Sequence, residues 1–508
     1  MFGRKKTTPV VDGDSEPEPY VQNVDHLAST PKTRWERMWP AMACGSGLFS
    51  DGYINNVIGS VSTILKTLYG TAYTGSGAQA NISAITFAGT VLGMGIFGYT
   101  SDKFSRSHSL TISTVILIVF AALGAGSYGW HGNLDGMFAA LTAYRFLVGV
   151  GIGGEYPAGS VACSEATGEL KSGSRNRWFI IFTNVMIDAG FVVGAFIPYL
   201  MVVIFTEKHL RAAWRVSLGL GVVPPLLLLY LRMKLKEPEE FKSRESMKNV
   251  KIPYGLVLKY YGPRLFMVSL IWFIYDFSTY SFGIYSSAIL ANILPKTAPL
   301  SQSFGWNTVI NLFYIPGAVL GSFFSDWVGP KYALVIGVTL QGLVGFLMAG
   351  LYGVLSRPGN VAGFAVVYGF FLSLGEFGPG DNIGLIASKT CATGIRGQYY
   401  AVAAAIGKVG AFVGTYVFPY IEKAGGGNTV ASAQYPFYVS SALCIFSGLI
   451  TLFFIPNIGQ DTITSEDIKF RAYLEANGWD TSQLGLEKVD NIEGGISPME
   501  QQEEVHKN

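Results

Sequence analysis

Acidic residues stand inside or beside long apolar segments of this 508-residue chain. Four of them, Asp51, Glu155, Asp276 and Asp381, lie in such surroundings. A charge at the depth of a bilayer is costly and usually marks a pathway for an ion or a substrate. A carboxyl group removed from water favours its neutral form, so it can take up and release a proton. These residue types in this setting predict proton-coupled membrane transport.

The spacing of the acids predicts two halves with the same layout. Asp276 follows Asp51 by 225 positions, and Asp381 follows Glu155 by 226. A parallel repeat of this kind is typical of transporters that bind substrate between two bundles of helices.

Composition and apolar runs predict the elements that hold these acids. The chain is 50% hydrophobic and 14% charged, whereas soluble proteins carry about 25% charged residues. Apolar runs of about 20 residues, each long enough for one crossing, occur six times in each half, the first at 39–60. We therefore expect an all-α membrane protein with twelve transmembrane helices in two six-helix bundles.

Clusters of Lys and Arg orient the chain. They lie in the N-terminal tail and in the loop between the halves, and basic loops stay in the cytoplasm. Both termini are therefore predicted to be cytoplasmic. The predicted division is an N-terminal tail at 1–38, a first bundle at 39–233, a central loop at 234–262, a second bundle at 263–456 and a C-terminal tail at 457–508.

Several classes of function find no support in the sequence. The four cysteines have no metal or disulfide spacing. A Walker-type phosphate loop and a nucleophile–base arrangement are both missing, which argues against an ATP-driven pump and an enzyme. We expect no metal and no cofactor, with the proton as coupling ion.

Two loops and one helix carry a family resemblance. The loop Gly98-Tyr-Thr-Ser-Asp102-Lys-Phe-Ser-Arg106 returns in part at Ser322-Phe-Phe-Ser-Asp326, followed by Lys331, and Arg145 precedes a run of spaced glycines. Together they resemble the major facilitator superfamily, although Ser105 stands where glycine is usual and Pro330 where arginine is. The resemblance implies that Asp102, Arg106, Asp326 and Lys331 control conformational change.

Four further motifs narrow the resemblance. They are Ser50-Asp51-Gly-Tyr53, Gly154-Glu155-Tyr156-Pro157, Trp272-Phe-Ile-Tyr-Asp276 and Phe377-Gly-Pro-Gly-Asp381. They resemble the phosphate:proton symporter family, and most of all the fungal glycerophosphoinositol and glycerophosphodiester permeases. The resemblance implies import of glycerophosphocholine, glycerophosphoinositol or both across the plasma membrane, by a monomer in contact with lipid and without nucleic acid.

Three residues are predicted to couple transport to protons: Asp51, Arg145 and Glu155. An unpaired guanidinium inside a membrane is prohibitive, so Arg145 needs a carboxylate partner, and Asp51 is the candidate. The pair could instead be structural, and Glu155 could be a buried acid that only accepts hydrogen bonds.

The residues predicted to bind substrate are Tyr156, Asn184, Trp272, Asp276, Tyr280, Glu376, Asp381 and Lys408, with Asp188 as a further cavity residue. Lys408 would neutralise a phosphodiester, unless its side chain extends to the interface instead. Glu376 stands where the related phosphate carriers have Asn. It would bind a choline cation together with aromatic rings, or accept hydrogen bonds from inositol or glycerol hydroxyls.

Two other functions stay open at this point. An inorganic phosphate:proton symporter with an unusual cavity would share most of these motifs. A nutrient receptor that binds substrate without transporting it would share the fold.

Overall fold

The computed structural model describes residues 34–168, 170–171, 173–234, 250–291, 293–295, 297–357, 359–426, 429–459, 462–481 and 484. Every regular element within these ranges is a helix. Eleven of these helices are long and apolar enough to cross a membrane, and the helix Leu48–Tyr69 packs among them as a twelfth. The predicted all-α fold with twelve transmembrane helices is confirmed.

We number these helices as spans in chain order. They are span 1, Leu48–Tyr69; span 2, Ala78–Lys103; span 3, Arg106–Ala125; span 4, Leu134–Gly168; span 5, Arg175–Phe205; span 6, Glu207–Arg232; span 7, Tyr254–Ser287; span 8, Leu300–Val328; span 9, Pro330–Gly350; span 10, Val361–Lys389; span 11, Thr393–Lys423; and span 12, Val430–Phe454. Shorter helices are Arg34–Gly45, Thr71–Thr74, Trp130–Gly132, Tyr352–Leu355 and Thr462–Ala476.

Span 1 differs from the expected apolar run at 39–60. Residues 39–45 belong to the separate helix Arg34–Gly45, and span 1 begins only at Leu48. Span 1 is rich in buried polar side chains, among them Asp51, Asn55 and Asn56. It packs against spans 5, 6 and 7, so its polar residues face protein rather than lipid.

The segments outside the bundles are partly helical. The helix that contains span 7 begins at Tyr254, inside the segment 234–262 that was predicted as a loop. The helix Thr462–Ala476 follows span 12 and lies in the segment 457–508 that is predicted as the C-terminal tail. Most of both tails and residues 235–249 lie outside the described ranges.

Spans 4 and 10 occupy matching places in the two halves, and each contains one turn of π-helix. The turns are Glu155–Ser160 and Glu376–Gly380. Each includes a proline, Pro157 or Pro379, which removes a backbone donor from the helical ladder. Such turns widen a helix and are frequent at functional sites. They place the predicted site residues at the irregular point of each helix.

Glycines let span 11 approach span 7 closely. A Cβ atom on Gly410 would lie 2.3 Å from the carbonyl oxygen of Phe273, and one on Gly414 would lie 2.2 Å from that of Phe277. Small residues are the usual means of bringing membrane helices together. This contact sets Lys408 on span 11 beside Asp276 on span 7.

The two halves meet along three pairs of helices. Span 2 packs along span 11, span 5 along span 8, and span 1 against span 7. The amide of Asn56 bridges spans 1 and 8, since its Nδ2 donates to Oδ1 of Asn311 at 2.8 Å. A cavity remains between the halves at the level of the two π-helical turns.

Candidate functional site

A central cavity lies where the halves face each other. Spans 1, 4, 5, 7, 10 and 11 contribute to its wall. All eight residues predicted to bind substrate line it: Tyr156, Asn184, Trp272, Asp276, Tyr280, Glu376, Asp381 and Lys408. The structure thus brings these residues to one place, and their roles stay predictions.

The first group of polar residues at the cavity surrounds Lys408, and we call it the lysine cluster: Lys408, Asp51, Asp276, Tyr156 and Tyr280. The Nζ of Lys408 lies 3.4 Å from Oδ2 of Asp51 and 3.6 Å from Oδ2 of Asp276. It also donates to the hydroxyl of Tyr280 and lies 4.8 Å from the ring centroid of Tyr156. Lys408 is 1% exposed, so it does not extend to an interface.

Asp51 is held by donors from three other helices and from its own. The hydroxyls of Tyr156 and Tyr280 both donate to its Oδ2, the latter at 3.1 Å. Nδ2 of Asn55 donates to its Oδ1 at 2.5 Å. Asp51 is fully buried and links both halves through Lys408. Since one oxygen of Asp51 accepts from Lys408 and from both tyrosines, a change in its charge acts on all three side chains.

The predicted pair between Arg145 and Asp51 is wrong. Arg145 donates from Nε to the carbonyl oxygen of Ile82 at 2.6 Å and from Nη1 to that of Ile54 at 3.5 Å. Its Nη2 has no hydrogen-bond partner among the described residues. Backbone carbonyls of spans 1 and 2 stand in for the expected carboxylate, while Asp51 takes Lys408 from the other half of the chain.

Glu155 lies outside the cavity, in a buried ion pair with Arg232. The two guanidinium Nη atoms of Arg232 donate to the two carboxylate oxygens at 2.5 and 2.6 Å. Gly47 makes room for the pair, because a Cβ there would lie 2.0 Å from Oε2 of Glu155. Nε and Nη2 of Arg232 also donate to the carbonyl oxygens of Ala43 and Cys44, at 3.2 and 3.3 Å. The geometry therefore joins spans 4 and 6 to the helix Arg34–Gly45, and it supports the structural interpretation of Glu155 over the proton-coupling one.

A second group consists of acids, and we call it the acid cluster: Glu376, Asp381 and Asp188. Glu376 and Asp381 line the cavity, whereas Asp188 does not, contrary to its prediction as a cavity residue. Nδ2 of Asn184 donates to Oε2 of Glu376 at 3.1 Å and to Oδ1 of Asp381 at 2.9 Å. The hydroxyl of Tyr275 donates to both oxygens of Glu376 at 2.9 Å. Both oxygens of Asp188 lack a hydrogen-bond partner among the described residues. The amide of Asn184 and the hydroxyl of Tyr275 are neutral donors, in contrast to the ammonium group of the lysine cluster.

The predicted loop residues join the halves at the end where the helices Arg34–Gly45 and Thr462–Ala476 lie, which we call the terminal end. Arg106 bonds Glu165 through Nε and Nη2, both at 2.7 Å, and Asp102 at 3.0 Å. Arg396 from the second half reaches Glu165 at 3.0 Å. Asp102 accepts from the backbone N–H groups of residues 397 and 398 across the interface. This network closes the protein at the terminal end.

The matching loop of the second half is more open. Asp326 accepts from the backbone N–H of Arg177 at 3.3 Å, and its Oδ2 lies 3.9 Å from the Nε of that residue. The Nζ of Lys331 lies 5.8 Å from the ring centroid of Tyr332. The repeat therefore places both aspartates between halves, with Asp102 in a fully buried ion network and Asp326 in a partly exposed ion pair.

A comparison with known protein families shows the family to which this chain belongs. A family model described as "Sugar (and other) transporter" matches residues 39–242 and 235–469. The chain belongs to this transporter family. Relatives of the transporter are named as permeases and transporters, and it is accordingly a transporter and not an enzyme.

Close relatives of the transporter occur in Candida albicans. A glycerophosphocholine permease is 50% identical over 93% of this chain and 89% of its own length. A major glycerophosphoinositol permease is 52% identical over 88% of this chain and 84% of its own length. The predicted resemblance to fungal glycerophosphodiester permeases of the major facilitator superfamily is confirmed.

A solved structure supports the fold of the transporter. The proton:xylose symporter XylE bound to 6-bromo-6-deoxy-D-glucose superposes with a TM-score of 0.71, at 16% identity, over 85% of this chain and 99% of that one. The transporter is therefore a multi-pass membrane protein with the major facilitator fold.

Three residues of these buried networks, Arg232, Glu165 and Tyr275, are not predicted from the sequence. Arg232 ends span 6, where a basic residue ordinarily indicates orientation, and nothing local links it to Glu155. Glu165 lies near the end of span 4, and Tyr275 precedes Asp276 among other aromatics. A charge near a helix end is common, so only the fold shows which of them is buried in a network.

Proposed function

We propose that the protein is a proton-coupled symporter that imports glycerophosphodiesters across the plasma membrane, with both termini in the cytoplasm. The observation that carries this is the buried lysine cluster. Lys408 is a cation in a central cavity, and its counter-charges Asp51 and Asp276 lie within 3.6 Å. The names of the relatives, which are about half identical to this chain, supply the substrate class.

The geometry suggests how a proton and an anion would bind together. While Asp51 and Asp276 are ionised, they compete with an incoming phosphodiester for Lys408. A proton on Asp51 removes one of these charges and leaves the lysine free to bind the phosphodiester. Protonation thus favours substrate binding, and loss of the proton on the cytoplasmic side favours release. We assign the proton to Asp51 rather than to Glu155, because Arg232 bonds both oxygens of Glu155, whereas Asp51 and Asp276 share the single cation Lys408.

The relatives weigh against the two other functions. The permeases named for glycerophosphodiesters cover most of this chain at about half identity, which favours a diester over inorganic phosphate as the substrate. They are named as permeases, which favours transport over signalling without transport.

The test is uptake of labelled glycerophosphocholine, glycerophosphoinositol and phosphate into yeast that lacks its own permeases. We expect diester uptake that rises at acid pH and stops with an uncoupler. Uptake of phosphate alone would contradict the substrate class, and no uptake despite surface expression would favour the receptor.

Asp51→Asn tests the proton site. We expect accumulation against a gradient to fall at least tenfold and to lose its pH dependence, while exchange of labelled for unlabelled diester continues, because the variant mimics the protonated acid. Asp135→Asn, at an exposed acid that begins span 4, is the matched control. An Asp51→Asn protein that still concentrates diester in response to a proton gradient would refute this assignment.

A further inference from the structure

The central cavity has two electrically different ends. At one end Lys408 lies beside Asp51 and Asp276. At the other end is the acid cluster, in which Asn184 and Tyr275 supply neutral donors. Asp276 and Tyr275 are neighbours on span 7, but Asp276 pairs with the lysine and Tyr275 bonds Glu376. Lys408 also lies within electrostatic reach of Glu376.

The acid cluster contains more negative charge than its surroundings neutralise. Glu376 and Asp381 are each 1% exposed and share the single amide of Asn184. Asp188 lies one helical turn after Asn184, is 0% exposed and is within electrostatic reach of both. Neither of its oxygens has a hydrogen-bond partner among the described residues, and Oδ2 of Asp381 also has none. A buried carboxylate in this state requires a bound cation or a proton.

The cluster does not have the geometry of a metal site. Within the described part of the chain, no three acidic, histidine or cysteine side chains are arranged to hold a metal ion. Its surroundings are instead aromatic, because Phe179, Phe191 and Tyr275 line the same cavity. Acids combined with aromatic faces are the chemistry that binds a quaternary ammonium group.

We propose that the acid cluster is the head-group subsite and binds the cationic end of a zwitterionic glycerophosphodiester such as glycerophosphocholine. The inference rests on the proposed function. The phosphodiester lies at Lys408, and the trimethylammonium group lies against Glu376 and Asp381, the two acids of the cluster that line the cavity. A zwitterion brings no net charge into the cavity, whereas a diester with a neutral head group adds one negative charge beside three acids. The transporter therefore prefers glycerophosphocholine to glycerophosphoinositol.

The test compares two diesters in two classes of variant. Glu376→Gln keeps the shape and removes the charge, and Asp381→Asn does the same at the second acid. For each we expect the KM for glycerophosphocholine to rise about tenfold, the equivalent of ~1.4 kcal/mol, while the KM for glycerophosphoinositol changes less than twofold. Lys408→Gln, at the phosphodiester end, should impair uptake of both diesters equally.

Two controls keep the outcome clear. Glu422→Gln changes a half-buried glutamate outside the cavity lining and should leave both KM values unchanged. Surface labelling checks expression. Thermal stabilisation of the purified protein by glycerophosphocholine gives a binding readout that needs no transport, and Glu376→Gln should weaken it.

Different failures have different meanings. Equal loss of both diesters in Glu376→Gln and Asp381→Asn would overturn the head-group subsite and leave the proposed function standing. Loss of accumulation with unchanged KM values would also overturn it and would identify the cluster as a proton site. A wild-type protein that takes up neither diester would refute the proposed function, and this inference with it.

Discussion

Glu165→Gln weakens the contact that closes the transporter at its terminal end. The carboxylate of Glu165 is fully buried and accepts from Arg106 and Arg396. The bond from Arg396, at 3.0 Å, joins span 11 to span 4 and therefore crosses between the halves. When the protein opens at this end the halves separate, so only the closed conformation makes this bond.

The size of the effect follows from that one bond. A hydrogen bond to a charged group contributes about 1.5–3 kcal/mol. Since each ~1.4 kcal/mol is a factor of ten, the open conformation should gain about tenfold to a hundredfold in population relative to the closed one. The bonds from Arg106 to Glu165 lie within one half and do not add to this difference. The backbone bonds to Asp102 across the interface remain.

Cysteine labelling measures the opening. Ser388 is 0% exposed, and its Oγ lies 3.1 Å from that of Ser164 in the opposite half. A Ser388→Cys protein, with the four native cysteines replaced, should react with a maleimide only when the terminal end opens. We expect Glu165→Gln to speed this labelling at least tenfold.

The matched control is Glu466→Gln. Glu466 pairs with Arg264 at 2.9 Å, but both residues lie on the same side of the interface, in the C-terminal helix and span 7. With Glu466→Gln added, the Ser388→Cys protein should be labelled at a rate within twofold of the rate for Ser388→Cys alone. Unchanged labelling in Glu165→Gln, or an equal rise in Glu466→Gln, would refute the idea that Glu165 holds the halves together.

Two further predictions concern stability. Arg232→Gln leaves Glu155 as an uncompensated buried charge, which destabilises the folded protein by about 3–5 kcal/mol. We therefore expect a clearly lower melting temperature in detergent. An unchanged melting temperature would contradict a stabilising ion pair between the two residues. Gly410→Ala places a Cβ 2.3 Å from the carbonyl oxygen of Phe273. We expect this overpacking to destabilise the folded protein by about 1–3 kcal/mol and to reduce uptake. Gly95→Ala, where a Cβ meets nothing within 4 Å, is its control, and equal behaviour of the two would contradict the close contact of spans 7 and 11.

The sequence by itself determined the class of fold and the residues of the cavity. Charges inside apolar runs are rare because they are costly in a membrane, so Asp51, Asp276, Glu376 and Lys408 stood out without a structure. A repeat of about 225 positions predicted two matching halves. The eight predicted substrate residues share one cavity, although Asn184 and Lys408 belong to no motif that recurs in the other half.

Only the tertiary structure shows which charged side chains are partners. Lys408 lies 357 positions after Asp51, and Arg232 lies 77 after Glu155, and hydropathy carries no information on which helices become neighbours. The sequence predicts Asp51 as the partner of Arg145 because a buried guanidinium needs acceptors, but backbone carbonyls of spans 1 and 2 are the acceptors in the structure. The start of span 1 was misplaced for a related reason. Residues 39–45 continue the apolar run but form the separate helix Arg34–Gly45, and hydropathy does not show the break between that helix and span 1.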